Sequence, residues 1–194
     1  MEITPEQLLY KIVKILNVLR IPYIITGGFA VAVWGKPRFT ADIDIIIELL
    51  SKNIKSLAQA LLKIDKDVYI SEEAMRDALL HNGEFNFIHP QTGLKVDFWV
   101  KESKADIYGE VKFERRRVKK IDNQKIFFVS PEDLILSKLS WYKKGESSKH
   151  LEDIKSILNN KKLKLDFKYI NNWAEKQSTI KILEEIIIQG RNKL

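Results

Sequence analysis

The sequence predicts an α+β fold, mixed helix and strand as far as Ser130 and all-helical beyond it. Three observations lead to this reading. Short runs rich in β-branched residues alternate with helical spacing before Ser130. Two pairs of those runs are joined by turn-forming residues and read as hairpins. From Ser130-Pro131-Glu132-Asp133 onward the apolar spacing is helical to the end. The expected division is therefore residues 1–130 and residues 131–194.

Each element has its own signal. Thr4-Pro5-Glu6-Gln7 combines a cap, a proline suited to the first helical position and a capping-box Gln. Leu8, Leu9, Ile12, Val13, Leu16 and Leu19 follow at helical spacing, and Pro22 is expected to end the helix. Tyr23–Thr26 reads as a buried strand, and Gly27-Gly28 leads into a short apolar helix, Phe29–Trp34, stopped by Gly35 and Pro37. Thr40–Glu48 reads as a strand. Ser51 is read as the cap of a helix to about Lys63, and Val68–Ile70 as a short edge strand. Ser71-Glu72-Glu73 opens a helix that closes near Gly83. Phe85–His89 and Leu94–Val100 flank a Pro/Gly turn, and Val118–Ile121 and Lys125–Val129 flank Asp122-Asn123-Gln124. Ser103-Lys104-Ala105-Asp106 fits the looser capping pattern for a helix through about Glu114, and Ser130-Pro131-Glu132-Asp133 repeats it. Breaks in the last region are expected near Gly145, Asn159–Leu165 and Gln177-Ser178.

With 194 residues, 45% of them hydrophobic and 30% charged, the chain is neither disordered nor fibrous. It has no cysteine, which excludes disulfides, thiolate zinc sites and a Cys nucleophile. No apolar run is long enough to span a bilayer. Met1 is followed by acidic Glu2 and a helical pattern rather than a signal core, so a soluble cytoplasmic protein is expected. The formal charge of +7 is unevenly spread: residues 1–100 hold 11 basic and 12 acidic side chains, residues 101–194 hold 22 and 14. A basic half beside a neutral half suits a polyanionic ligand.

The chemistry concentrates in Thr26-Gly27-Gly28-Phe29 and Thr40-Ala41-Asp42-Ile43-Asp44-Ile45. On a strand, Asp42 and Asp44 share one face and Ile43, Ile45 and Ile47 the other. Two carboxylates ~7 Å apart by their Cα atoms repel within an apolar strand unless a cation compensates them, and oxygen donors suit Mg²⁺. A strand ending in two glycines and turning into a helix exposes backbone N–H groups to which a phosphate can come close. In Leu94–Val100, Asp97 lies opposite the stripe of Val96, Phe98 and Val100. If that strand lies beside the Asp42 strand, three carboxylates converge. Two-metal phosphoryl or nucleotidyl transfer suits such a set.

This set resembles the DNA polymerase β-like nucleotidyltransferase superfamily, whose signature is a Gly-Gly or Gly-Ser turn, an Asp-x-Asp strand and a later single Asp. Thirteen residues, Phe29 to Ala41, separate the first two parts. The phrase is most similar to the minimal prokaryotic branch, which includes AbiEii-type toxins and antitoxin-type nucleotidyltransferases. Ser130–Leu139 is similar to the Lys-bearing helix of AbiEii-like proteins, and His150-Leu151-Glu152-Asp153-Ile154 to their later Asp motif, although Lys149 stands where that motif usually has an Arg near the Asp. The resemblance covers about residues 20–160. It implies a mixed β-sheet flanked by helices as the core, with a C-terminal helical subdomain. It implies Asp42, Asp44 and Asp97 as catalytic and metal-binding residues for two Mg²⁺ ions, with Mn²⁺ as a substitute. It places Gly27 and Gly28 against the phosphates of an NTP and Lys138 as the basic partner of the triphosphate or of the site acids. The implied reaction moves an NMP onto an acceptor hydroxyl of RNA or tRNA, a protein or a small molecule.

Other signals are weaker. Lys36, Arg38 and Thr40 are read either as phosphate contacts or as a solvated loop. Arg115-Arg116-Arg117-Val118-Lys119-Lys120 suits RNA phosphates, against the ordinary reading of a solvated face. His81, His89 and His150 are isolated, so zinc is not expected. Trp141-Tyr142 is the aromatic pair suited to base stacking. No G-x-x-x-x-G-K-[ST] run exists. The rival reading is a nucleotidyltransferase fold without catalysis, serving as an antitoxin or nucleotide-sensing partner. Retention of all three carboxylates favours the enzyme.

Overall fold

The computed structural model describes residues 3–101, 106–121 and 123–191. Among them it forms nine α-helices and six strands. They run α1 (Pro5–Val18), β1 (Tyr23–Ile25), α2 (Gly27–Trp34), β2 (Asp42–Ile47), α3 (Ile54–Leu62), α4 (Glu72–His81), β3 (Glu84–His89), β4 (Leu94–Val100), α5 (Ile107–Glu114), β5 (Arg117–Ile121), β6 (Gln124–Phe128), α6 (Pro131–Gly145), α7 (Ser148–Leu158), α8 (Phe167–Lys176) and α9 (Ile180–Arg191). The chain divides into two units. One comprises Met1–Phe29 with Phe39–Val129, the other Ala30–Arg38 with Ser130–Leu194.

The first unit contains a six-stranded sheet in the order β3-β4-β2-β1-β6-β5. β2 pairs parallel to β4 and β1 parallel to β6, and the other pairs are antiparallel. Both expected hairpins form. Ile43, Ile45 and Ile47 of β2 and Val96, Phe98 and Val100 of β4 are buried, as their alternation requires. Phe85 of β3 stacks on Phe98 with ring centroids 4.9 Å apart. α1 packs on β2 and α3, and its Leu8, Ile12 and Leu16 are fully buried. Its start is the expected capping box: the Gln7 N–H donates to Thr4 Oγ1 at 3.2 Å and the Thr4 N–H to Gln7 Oε1 at 3.0 Å.

The boundaries differ from expectation where backbone conformation overrides residue type. α1 ends at Val18, before Pro22, because Arg20 turns left-handed at φ 53°. Both glycines lie inside α2 rather than ahead of it. Ser51 makes no capping hydrogen bond and opens a 3₁₀ turn, Ser51–Asn53, so α3 starts later. Val68–Ile70 reduces to a single bridge, Tyr69 to Ile88. α4 does close near Gly83 as expected, with Asn82 left-handed at φ 51° as its C-cap. Of the Ser103–Asp106 capping signal, residues 103–105 lie outside the described residues. Asp106 precedes α5 without a side-chain cap.

In the second unit, α6 packs against α7, α8 and α9 around Ile135, Leu139, Ile154, Ile157, Ile170 and Leu183. Ala30, Val31 and Trp34 of α2 are also buried. Asn160 Nδ2 donates to the Trp34 carbonyl at 2.8 Å. Ser130 caps α6, accepting from the Asp133 N–H at 3.1 Å, while its hydroxyl donates to the Asp133 carboxylate. Ser130 and Asp133 are both fully buried, and the Tyr169 hydroxyl donates to Asp133 Oδ1 at 2.6 Å. Ser130→Ala removes a cap and leaves a buried carboxylate short of a donor. It is expected to lower unfolding free energy by about 1–2 kcal/mol in a urea titration followed by circular dichroism.

Candidate functional site

The first unit holds the acids. In the parallel β2/β4 pairing Asp42 is opposite Lys95 and Asp44 opposite Asp97. Asp42, Asp44 and Asp97 therefore lie on one face of neighbouring strands, opposite the isoleucine, valine and phenylalanine face. Asp42 is exposed at the start of β2, Asp44 is half-buried and Asp97 is 9% exposed. Lys95, two residues before Asp97 on the same face, brings Nζ to 3.0 Å from Asp97 Oδ2. The hydrogen bond to Asp97, reinforced by the charges of Asp97, Asp42 and Glu84, raises the Lys95 pKa against its partial burial. Lys95 is thus a fixed cation among these carboxylates.

The two glycines are required by Asp44 and Thr40. Gly27 has φ +59°, and a Cβ there would stand 1.7 Å from Asp44 Oδ2. A Cβ on Gly28 would meet the Thr40 side chain at 2.8 Å. Thr40 Oγ1 in turn donates to the Asp42 carbonyl at 3.1 Å, and the Thr26 N–H donates to the Asp44 carbonyl at 2.9 Å. The start of α2 is thereby pressed against the acidic strand. The first-turn N–H groups of a helix have no partner within it, and α2 carries no acidic side chain in that turn.

Among the described residues no three His, Cys, Asp or Glu side chains are gathered into a group able to hold a metal ion. Lys95 already occupies one oxygen of Asp97. The donors still fit a hard divalent cation in kind. They are carboxylate oxygens, and Asp97 Oδ1 is buried with no hydrogen-bond partner.

In the second unit, Lys138 is not solvated: it is buried, with Nζ 2.9 Å from Asp153 Oδ2. Arg38 binds the same carboxylate in a fork, Nε to Oδ1 at 2.8 Å and a terminal nitrogen to Oδ2 at 3.0 Å. Arg38 reaches this carboxylate from 115 positions upstream. Burial acts to raise the Asp153 pKa, and the Arg38 and Lys138 bonds and charges overcome it, so the carboxyl is held below its usual range. His150 is shifted down, first by burial and then by the Lys138 charge. Two cations thus share one carboxylate here.

The remaining basic and aromatic signals are dispersed. β5 is an edge strand with Arg117, Val118, Lys119 and Lys120 all exposed. Arg116 instead folds over the Phe113 and Phe127 rings. Trp141 is 49% exposed and lies 6.5 Å from the His150 ring, with Lys144 over its face.

A family model described as "Nucleotidyltransferase of unknown function (DUF6036)" matches residues 7–190. The chain belongs to this nucleotidyltransferase family. No curated protein matches it in sequence. Among solved structures, the nucleotidyltransferase is similar to the antibiotic-resistance factor ANT(2'')-Ia, at 16% identity and a TM-score of 0.61 over 95% of this chain and 97% of that one. It is similar to the lincosamide antibiotic adenylyltransferase LnuA, solved with lincomycin, at 16% identity and a TM-score of 0.53 over 82% and 99%. It is also similar to an antigenic nucleotidyltransferase-like protein from Paracoccidioides brasiliensis, at 21% and 0.53 over 80% and 76%. These likenesses establish the fold. Among the described residues of this nucleotidyltransferase, no helix is long and apolar enough to cross a membrane.

The sequence leaves Arg38 open between a phosphate contact and a solvated loop, and no motif marks Lys95. Its two-residue spacing from Asp97 on a strand was the available signal for Lys95. No local signal links Arg38 to Asp153.

Three outcomes follow for this nucleotidyltransferase. Gly27→Ala, strained in φ and colliding with Asp44, is expected to cost at least about 1 kcal/mol in a chemical melt. Asp153→Ala leaves Lys138 buried without its anion and should cost about 3–5 kcal/mol. Folding lowers the His150 pKa below its ordinary value of about 6.5, so the unfolded chain takes up the proton first and stability falls as pH drops below that value. The melting temperature should decline from pH 7 to pH 5, and His150→Gln should flatten that decline.

Proposed function

We propose that the protein transfers a nucleoside monophosphate from an NTP to an acceptor hydroxyl, releasing pyrophosphate. The observation that supports this most is the register that sets Asp44 beside Asp97, with Asp42 two residues away on the same face. Membership of the nucleotidyltransferase family supports the reaction class. Residues 1–130 would form the catalytic core and residues 131–194 a helical region.

Asp42, Asp44 and Asp97 would hold divalent cations, Mg²⁺ or Mn²⁺. When bound, these would offset the negative charge that develops on the attacking and leaving oxygens. Asp97 would orient the acceptor hydroxyl and take its proton as the oxygen bonds to the α-phosphorus. The bond from that phosphorus to the bridging oxygen breaks, and pyrophosphate departs. Gly27, Gly28 and the first turn of α2 would face the phosphates, where helix N–H groups favour anions. Lys138 is assigned to the triphosphate by the motif resemblance, and its burial beside Asp153 and Arg38 holds its ammonium in place. The acceptor would be an RNA, a protein side chain or a small molecule. ANT(2'')-Ia, whose structure is known with adenylyl-2''-tobramycin, and lincomycin-bound LnuA give precedent on this fold for the last class.

The test incubates the protein and Mg²⁺ with each labelled NTP and total RNA, cell protein or a panel of small hydroxyl compounds. One acceptor should become labelled. Asp42→Ala/Asp44→Ala should reduce labelling roughly 1,000-fold, as expected for losing several kcal/mol of charge stabilisation. Equal labelling by that variant, or no labelled acceptor, overturns the assignment.

A further inference from the structure

We propose that Asn86 is an oxygen donor of the cation site, acting with Asp44 and Asp97. The proposal rests on the metal-dependent reading above and adds to it a residue outside the Gly-Gly, Asp-x-Asp and single-Asp set. In the β3/β4 pairing Asn86 is opposite Asp97, as Asp44 is on the other side in β2/β4. The row Asn86–Asp97–Asp44 thus crosses three strands at one level. Phe85 and Phe98, the next pair along, are buried and stacked, so Asn86 and Asp97 share the opposite, acidic face.

Two atoms in this row are unaccounted for. Asn86 Oδ1 and Asp97 Oδ1 are each buried and without a hydrogen-bond partner. Asp97 is 9% exposed. Buried polar atoms left unpaired are uncommon and costly, so each needs an explanation. The ammonium of Lys95 does not provide one, because it lies on Asp97 Oδ2. Side chains at paired positions have Cβ atoms about 4.5–5.5 Å apart, and a hard cation takes carboxylate and amide oxygens at about 2.0–2.6 Å. A divalent ion seated over β4 would satisfy both orphaned oxygens at once. Asn has little intrinsic preference for a strand, and a β-branched residue at this place would favour the fold more.

The test measures binding of Mn²⁺ alone, by the electron-spin-resonance signal of the free ion, to wild type, Asn86→Ala, Asn86→Asp and Asp97→Asn. Thermal melts of the metal-free proteins are recorded in parallel. Asn86→Ala should weaken Mn²⁺ binding about 10-fold or more while the metal-free melting temperature stays the same or rises, since an unsatisfied buried group has been removed. Asn86→Asp should bind Mn²⁺ at least as tightly as wild type. Unchanged affinity in Asn86→Ala, with binding lost in Asp97→Asn, overturns the role of Asn86 and leaves the metal reading intact. A fall in metal-free melting temperature matching the loss of affinity, with Asn86→Asp equally weak, marks a packing role and overturns the proposal. Absence of Mn²⁺ binding by wild type overturns the metal reading and this proposal together.

Discussion

Asp44 stands where its neighbour can have no side chain. Its carboxylate fills the space a Cβ on Gly27 would need, while its own backbone is tied to Thr26. That contact locks the start of α2 to β2, and β2 in turn fixes β1 on one edge and β4 on the other. A shift of one residue in β2 would turn the isoleucines outward and both aspartates into the core. The apolar burial of Ile43, Ile45 and Ile47 therefore sets where the acids point.

The protein compensates its buried charges in different ways in its two units. In the first, Lys95 is held among Asp97, Asp42 and Glu84 on a partly open sheet face, where water still shares the load. In the second, Asp153 is nearly sealed and depends on both Arg38 and Lys138. One forked guanidinium and one ammonium satisfy its two oxygens, the condition under which a buried carboxylate is tolerable. Lys138 thus reaches burial through a partner on α7, something a helix pattern does not reveal.

Local chemistry was legible in the sequence. The Thr4, Ser71 and Ser130 caps, both hairpins and the alternating faces of β2 and β4 follow from neighbours a few residues apart. What depended on distant partners was not. The parallel register of β2 on β4 joins segments about fifty positions apart, with two helices and a strand between them. The left-handed turn at Arg20 ends α1 ahead of Pro22, and an arginine gives no local signal for that conformation. The glycine pair was legible as a motif, but its reason is partly steric. Asp44 and Thr40 need that space whether or not a phosphate approaches.

The fork from Arg38 to Asp153 also bears on the order in which the chain matures. Ala30–Arg38 belongs with Ser130–Leu194, yet emerges about a hundred residues earlier. At roughly 5–20 residues per second, on the order of ten seconds of translation separate Arg38 from its carboxylate. During that interval the apolar residues of α2 and the Arg38 charge wait for their partners, while the strands up to Phe128 are already made. The last third of the chain is what completes the segment that links Gly28 to Thr40, so a ribosome that stalls after the sheet leaves that segment unfinished.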